Sequence, residues 1–286
     1  MEINSPFRYP GGKFYARKLI LELIPAHSTY IEPFAGGGSI FFAKEKAQNS
    51  WLNDIDKELI NCLLTIQKRP QELINALAGE EAAKERHGYY KNIYRPKNSL
   101  ERAKRWFYLN RTSYSGIMMK QNCFWGYGDK YSMRPENWPR NILRTSEKLK
   151  NVKLTSLTFE EVITQAPDNS FLFIDPPYFN ADQDKFYTHS FKENDHQRLG
   201  NLLKEHSHRL SYLITYDNSP EVIEIYPWAS TILEKEWNYT INRTDDQKNK
   251  LKRKGARSKG KEIFILNYQP EEQPQVKLFD ETFQYA

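Results

Sequence analysis

The chain has 286 residues, 39% of them apolar and 14% aromatic, and carries a net charge of +6. That length and apolar content suit one large or two modest globular domains and exclude a disordered chain. Two cysteines and six scattered histidines give neither a disulfide framework nor a metal-ligand spacing. With no run of 18 apolar residues and no secretory leader, a cytoplasmic protein with no metal and no membrane partner is expected.

The first element is Phe7-Arg8-Tyr9-Pro10-Gly11-Gly12-Lys13. Its Pro-Gly-Gly turn presents the Tyr9 ring on one side and the Lys13 ammonium on the other. Helical spacing follows from Ala16 to Leu23, and Pro25 ends it. Next comes Tyr30-Ile31-Glu32-Pro33-Phe34-Ala35-Gly36-Gly37-Gly38-Ser39, a strand running through a glycine loop into a helix over Ile40–Phe42. Such a turn lets backbone approach a ligand closely. It is neither a Walker loop nor a G-x-G-x-x-G fingerprint. A second strand, Trp51-Leu52-Asn53-Asp54-Ile55-Asp56, ends in acids. An acid at this point suits ribose hydroxyls, whereas a helix cap ahead of Lys57 is the plainer use, and one Asp can serve each.

From residue 57 to 150 the pattern turns helical, with helices expected at 58–67, 71–78 and 100–109. Between Arg86 and Arg144 stand thirteen Lys/Arg against three acids, interleaved with twelve aromatics, a mixture suited to phosphate contact and base stacking. Residues 112–139 are rich in Gly, Tyr, Asn and Ser and lack periodicity, so they read as long loops or a hairpin, where function tends to concentrate.

Regular α/β character resumes at Val152, and the apolar run Phe171-Leu172-Phe173-Ile174 reads as a buried strand. Asp175-Pro176-Pro177-Tyr178 stops it, since proline cannot donate to a ladder. Asp175 then stands at a strand's C-terminal end, where open α/β sheets place their ligands. Asp175 and the Pro176 carbonyl offer two acceptors and Tyr178 a flat face, a pocket for a planar group bearing an NH2. Later strands are expected at Leu210–Thr215, Thr231–Trp237, Tyr239–Ile241 and Glu262–Asn267, and residues 269–286 form an extended tail. Residues 243–261 hold nine Lys/Arg against Asp245 and Asp246, a focused basic loop that suits a polyanion.

These segments, in this order, resemble the Dam-type (D12 class) DNA adenine-N6 methyltransferases. The matching stretches are FRYPGGK, YIEPFAGGGSIFF, WLNDID, FYLNRTSYSG, FLFIDPPYF and KEIFILN. The resemblance implies a Rossmann-like α/β methyltransferase sheet of seven strands, with helices on both faces and an inserted, mostly helical target-recognition domain. The expected boundaries are 1–56 and 151–270 for a discontinuous catalytic domain, 57–150 for the insert and 271–286 for the tail. S-adenosylmethionine would lie on Tyr9, Lys13, Pro33, Phe34, Ala35, Gly36, Gly38, Ser39, Asp54, Ile55 and Asp175. Asp175, Pro176, Pro177 and Tyr178 would hold an adenine flipped out of double-stranded DNA. DNA contacts are expected from Arg111, Tyr114, Ser115, Lys120 and Arg134 in the insert and from Lys252, Arg253 and Lys254 in the basic loop.

The sequence departs from the GATC-reading pattern over Tyr114–Lys120 and Cys123–Gly128, and has Tyr9 where Trp is common, so the recognition site stays open. Other planar amines (cytosine N4, an RNA base, a protein glutamine) and an inactive DNA-binding homologue are the alternatives. Gln275-Val276-Lys277-Leu278-Phe279 resembles the peptides that dock on bacterial sliding clamps.

Overall fold

The computed structural model describes residues 2–14, 16–128, 132–179, 191–238 and 259–270. Seven strands form one sheet: β1 (Thr29–Glu32), β2 (Asn49–Asn53), β3 (Val152–Thr155), β4 (Phe171–Ile174), β5 (Ser211–Asp217), β6 (Thr231–Asn238) and β7 (Lys259–Leu266). Their order is β3-β2-β1-β4-β5-β7-β6. The first five strands run parallel, and β7 lies antiparallel between β5 and β6. The order reverses between β1 and β4, so a crevice opens past their C-terminal ends.

Period-2 alternation divides the core between the two faces of the sheet. Tyr30, Phe171, Phe173, Leu213 and Phe264 face one cluster. Ile31, Leu172, Ile174, Tyr212 and Ile263 face the other. All four residues of β4 are buried, which is why its sequence is a continuous apolar run. The first cluster is covered by α1 (Arg17–Leu23), α2 (Ser39–Ala43) and helices between β2 and β3. The second is covered by α8 (Phe159–Gln165), α9 (Glu193–His206) and α10 (Pro220–Ile225).

Between β2 and β3 stand α3 (Lys57–Lys68), α4 (Pro70–Leu77), α5 (Lys84–Asn92), α6 (Ser99–Thr112) and α7 (Trp138–Leu149). Three of these stand where helical spacing put them; α5 and α7 are additional. The inward face of α5 is built from His87 and Tyr90 rather than aliphatics, so it carries no apolar stripe. α7 does carry one, in Trp138, Ile142, Thr145 and Leu149, which follows the unpatterned loop closely. Between α6 and α7 the described residues form two short 3-10 turns and a single antiparallel bridge, Ser113 to Trp125.

The expected strand at Tyr239–Ile241, the basic triplet Lys252–Lys254 and the peptide Gln275–Phe279 lie outside the described residues. Among the described residues no helix is long and apolar enough to cross a membrane.

Candidate functional site

β1 ends at Glu32-Pro33, and the chain turns through glycines into α2. Gly36 (φ 48°) and Gly38 (φ 65°) both adopt the left-handed conformation that favours glycine. A Cβ on Gly36 would also meet the Tyr9 ring at 2.8 Å, so the first motif of the chain packs directly on the glycine loop. Two consecutive residues at the end of β2 hold that loop. Asn53 accepts the Ala35 N–H through its main-chain carbonyl at 2.8 Å, and its side-chain amide donates to the Pro33 carbonyl at 3.0 Å. Asp54 Oδ2 accepts the Gly36 N–H at 2.8 Å, and its Oδ1 accepts the Asp56 N–H at 2.9 Å. Asp56 caps α3 by accepting from Glu58 and Leu59. The two acids thus divide the work: one braces the loop and the other starts the helix. Burial raises the Asp54 carboxyl to about 6, against the downward pull of its two backbone donors.

Opposite the glycine loop, Asp175 follows β4. Its Oδ1 lies 2.6 Å from the Lys13 ammonium and accepts the Thr215 hydroxyl at 2.7 Å. Lys13 also donates to the Gly11 carbonyl at 3.1 Å, and its ammonium sits 4.8 Å from the centre of the Tyr178 ring. Pro176 is buried. Tyr178 is half-buried against Tyr216, with ring centres 6.3 Å apart. The Phe179 N–H donates to Asp217 Oδ1 at 3.0 Å, which pins the chain after the prolines to the end of β5.

A cleft with about 740 Å³ of empty space runs between the glycine loop and Asp175, and Pro176 and Tyr178 are not among the residues that line it. Of the residues expected at the cofactor, Tyr9, Lys13, Phe34, Ala35, Gly36 and Ser39 line it, as do Asp54, Ile55 and Asp175. Pro33 and Gly38 stand behind the lining, where they shape the turn. Pro177 is on the wall as well.

Sequence reasoning passed over Glu32. This carboxyl is buried, lines the same cleft, and accepts the Tyr30 hydroxyl at 2.7 Å and the Phe41 N–H at 2.9 Å. Burial pushes it up to about 8, only partly offset by those two bonds. The signal was present, an acid at a strand's C-terminal end, the same signal that singled out Asp175. Asn53 and Thr215 were passed over too, and only strand pairing reveals their partners.

The expected DNA contacts separate into groups. Tyr114 and Lys120 are exposed, and Ser115, half-buried, takes the left-handed conformation at φ 51°. Arg134 is exposed beside Glu136. Arg111 corrects the expectation. Only 5% of it is exposed, its Nη1 donates to the Pro6 carbonyl at 3.0 Å, and burial lowers its pKa to about 10. It sits on the inward face of α6 and ties the N-terminal segment to that helix.

The doubly wound sheet with an antiparallel β7, and a glycine-loop cleft at its switch point, define a Rossmann-like methyltransferase. The chain belongs to the D12 class N6 adenine-specific DNA methyltransferase family, whose model matches residues 9–241. It is 28% identical over 283 residues to the type II methyltransferase M1.LlaDCHI of Lactococcus lactis subsp. cremoris, covering 92% of this chain and 95% of that protein. It is 30% identical over 245 residues to the DNA N-6-adenine-methyltransferase of Escherichia phage P1, covering 78% of this chain and 31% of that protein. It is 23% identical over 257 residues to a Vibrio cholerae DNA adenine methylase, covering 85% and 92%.

Proposed function

We propose that this protein transfers a methyl group from S-adenosylmethionine to N6 of an adenine turned out of double-stranded DNA at a defined sequence, and that Asp175 and Tyr178 hold the target. The observation that carries the reading is that Asp175 opens into the same cleft as the glycine loop, more than a hundred residues away in the chain.

The cleft suits the cofactor. The Gly36–Gly37 turn lies on the cleft wall, packed so closely under Tyr9 that a Cβ would meet that residue at 2.8 Å from Gly36 and at 3.0 Å from Gly37. Asp54 and Asp175 give it an acidic lining fit for a cationic ligand, and Phe34 and Ile55 give it an apolar wall. Phe34 is held in place between Phe159 and Phe191, with ring centres 5.7 and 5.5 Å away. Bound there, S-adenosylmethionine supplies a methyl group activated by a positively charged sulfur. Tyr9, Phe34 and the Ala35–Gly36 backbone would cradle it, and Asp54 would keep that backbone in place.

The chain's own work is positioning. The amino nitrogen of adenine is a weak nucleophile because its lone pair is delocalised into the ring. Asp175 would accept one amine hydrogen and the Pro176 carbonyl the other, which draws the nitrogen toward tetrahedral geometry and frees the lone pair. The carboxylate also favours the positive charge that develops on that nitrogen. Tyr178 would stack on the base. Its ring already meets a cation, the Lys13 ammonium, 4.8 Å from the ring centre, and the target amine would lie at the Asp175 carboxylate beside that ring. Exposed Tyr114, Lys120 and Arg134, with Ser115, would face the duplex, and the basic loop at 243–261 would hold its phosphates.

Incubating the protein with S-adenosylmethionine and a plasmid, followed by nucleoside mass spectrometry and single-molecule sequencing, tests the reading. N6-methyladenine confined to one sequence context is expected. N4-methylcytosine alone would overturn it.

A further inference from the structure

The Asp175 carboxylate is not held by its own strand. β4 pairs with β5 in parallel register, Ile174 opposite Ile214, so the next residue of β5 stands beside the first residue beyond β4. That residue is Thr215. It shares the sheet face of Leu213 and is fully buried. A hydroxyl buried there costs free energy unless it finds a partner, and valine would suit an interior strand better. Its partner is Asp175 Oδ1, at 2.7 Å. The same oxygen receives the Lys13 ammonium at 2.6 Å. Two donors occupy the two lone-pair sites of Oδ1. Among the described residues nothing else bonds this carboxylate, so Oδ2 is the oxygen left to face a substrate.

We infer that Thr215 is a positioning residue for methyl transfer: its hydroxyl fixes the Asp175 side chain and commits Oδ1, so that Oδ2 is presented to the target amine. The inference rests on the reading of Asp175 given above. Thr215 touches neither cofactor nor base; it acts through the carboxylate. A carboxylate rotates about two single bonds, and displacing a reacting group by about 1 Å costs on the order of 100-fold in rate. The hydroxyl is the part of Thr215 that the chemistry uses.

The experiment compares Thr215→Val, Thr215→Ser and Thr215→Ala in single-turnover methylation of plasmid DNA, alongside equilibrium binding of S-adenosylmethionine and of DNA. Val keeps the shape and loses the hydroxyl; Ser does the reverse. Val is expected to slow the single-turnover rate roughly 10- to 100-fold with both binding constants within about twofold of wild type, and Ser to recover most of the loss. Should Val fail to fold, the Ser-to-Ala ratio reads the hydroxyl alone, since both lack the methyl group. Asp175→Ala combined with Thr215→Val should be no slower than Asp175→Ala, because a residue that acts only through the carboxylate has nothing left to position. If Asp175→Ala is inactive while Val runs at the wild-type rate, or Ser is as slow as Ala, the role of Thr215 is overturned and that of Asp175 stands. If Asp175→Ala is itself active, the reading beneath the inference fails first.

Discussion

Replacing Glu32 with Gln should make the protein more stable in alkali and should remove part of its pH dependence. In the fold this carboxyl is buried and pushed up from the ordinary 4.5 to about 8. Below about pH 4.5 it is protonated in both the folded and unfolded chains, and Gln is a fair mimic. Between pH 4.5 and 8 the unfolded chain ionises it freely while the folded chain still holds the proton. A group whose folded pKa is raised contributes stability that is present below its unfolded value and lost as pH rises through the folded value. At roughly 1.4 kcal/mol per pH unit, the interval from 4.5 to about 8 corresponds to a loss on the order of 5 kcal/mol. Glu32→Gln escapes that loss. Its amide oxygen can still accept from the Tyr30 hydroxyl and the Phe41 N–H, so the bonds that place the side chain survive. Urea unfolding of both proteins at pH 5, 7 and 9 reads the difference directly. The gap should widen with pH in favour of the Glu32→Gln variant and level off above pH 8. A gap that stays constant from pH 5 to 9 would show that Glu32 is not carried neutral in the folded chain and would refute the reasoning. Cofactor affinity at pH 7 should move little, since the folded chain carries Glu32 protonated there and Gln replaces a neutral group.

Asp54→Ala frees the Gly36 N–H and should weaken S-adenosylmethionine binding by roughly 1–3 kcal/mol, read by calorimetry; unchanged affinity removes Asp54 from the site. Asp175→Asn keeps an acceptor but no charge, so single-turnover rate should fall by orders of magnitude with DNA affinity largely kept. Tyr178→Phe should be mild and Tyr178→Ala severe if the ring face does the stacking, and equal losses would assign the role to the hydroxyl. Arg111→Met should change DNA affinity less than about threefold and leave its salt dependence alone, because the buried guanidinium serves the Pro6 carbonyl; a flatter salt slope would make it a phosphate contact after all. Neutralising Lys252, Arg253 and Lys254 together should flatten that slope and weaken all DNA alike, and a changed preferred site would contradict a purely phosphate-holding role.

The parts of the site that were legible in the sequence are those punctuated by residues with special backbone chemistry. Proline after Asp175 and proline after Glu32 mark the ends of strands, and strand ends are where the crevice of such a sheet lies. The Asp56 cap was legible for the same reason, since a cap needs an acceptor just ahead of a helix, whereas Asp54, expected at ribose hydroxyls, spends both oxygens on backbone N–H groups. What was not legible depends on contacts that sequence spacing does not encode. α6 is buried along its last turns, Phe107 through Thr112, because the N-terminal segment lies across it. A helix covered on that side hides its Arg, and the basic, aromatic composition of the insert then points to DNA at a position that faces inward. Thr215 needed the β4–β5 register to be seen, and an isolated Thr in an apolar strand gives no sign of it.

That N-terminal crossing ties the end of α6 to the strand ends that form the cleft. The Arg8 N–H donates to Asn110 Oδ1 at 3.0 Å, and Asn110 Nδ2 donates back to the Arg8 carbonyl at 2.7 Å. Arg8 Nη1 also reaches the Ser113 carbonyl at 3.3 Å. Gly116, at φ 72°, lets the chain pass so close that a Cβ there would fall 2.1 Å from the Arg8 carbonyl oxygen. These contacts clamp the residue just before Tyr9 to the end of α6 and to the start of the loop that carries Tyr114, Ser115 and Lys120. Five residues past Arg8, Lys13 pairs with Asp175. Arg111 anchors Pro6 on the same crossing. The first motif of the chain thus touches both sides of the cleft, with its aromatic ring on the glycine loop and its lysine on the Asp175 carboxylate.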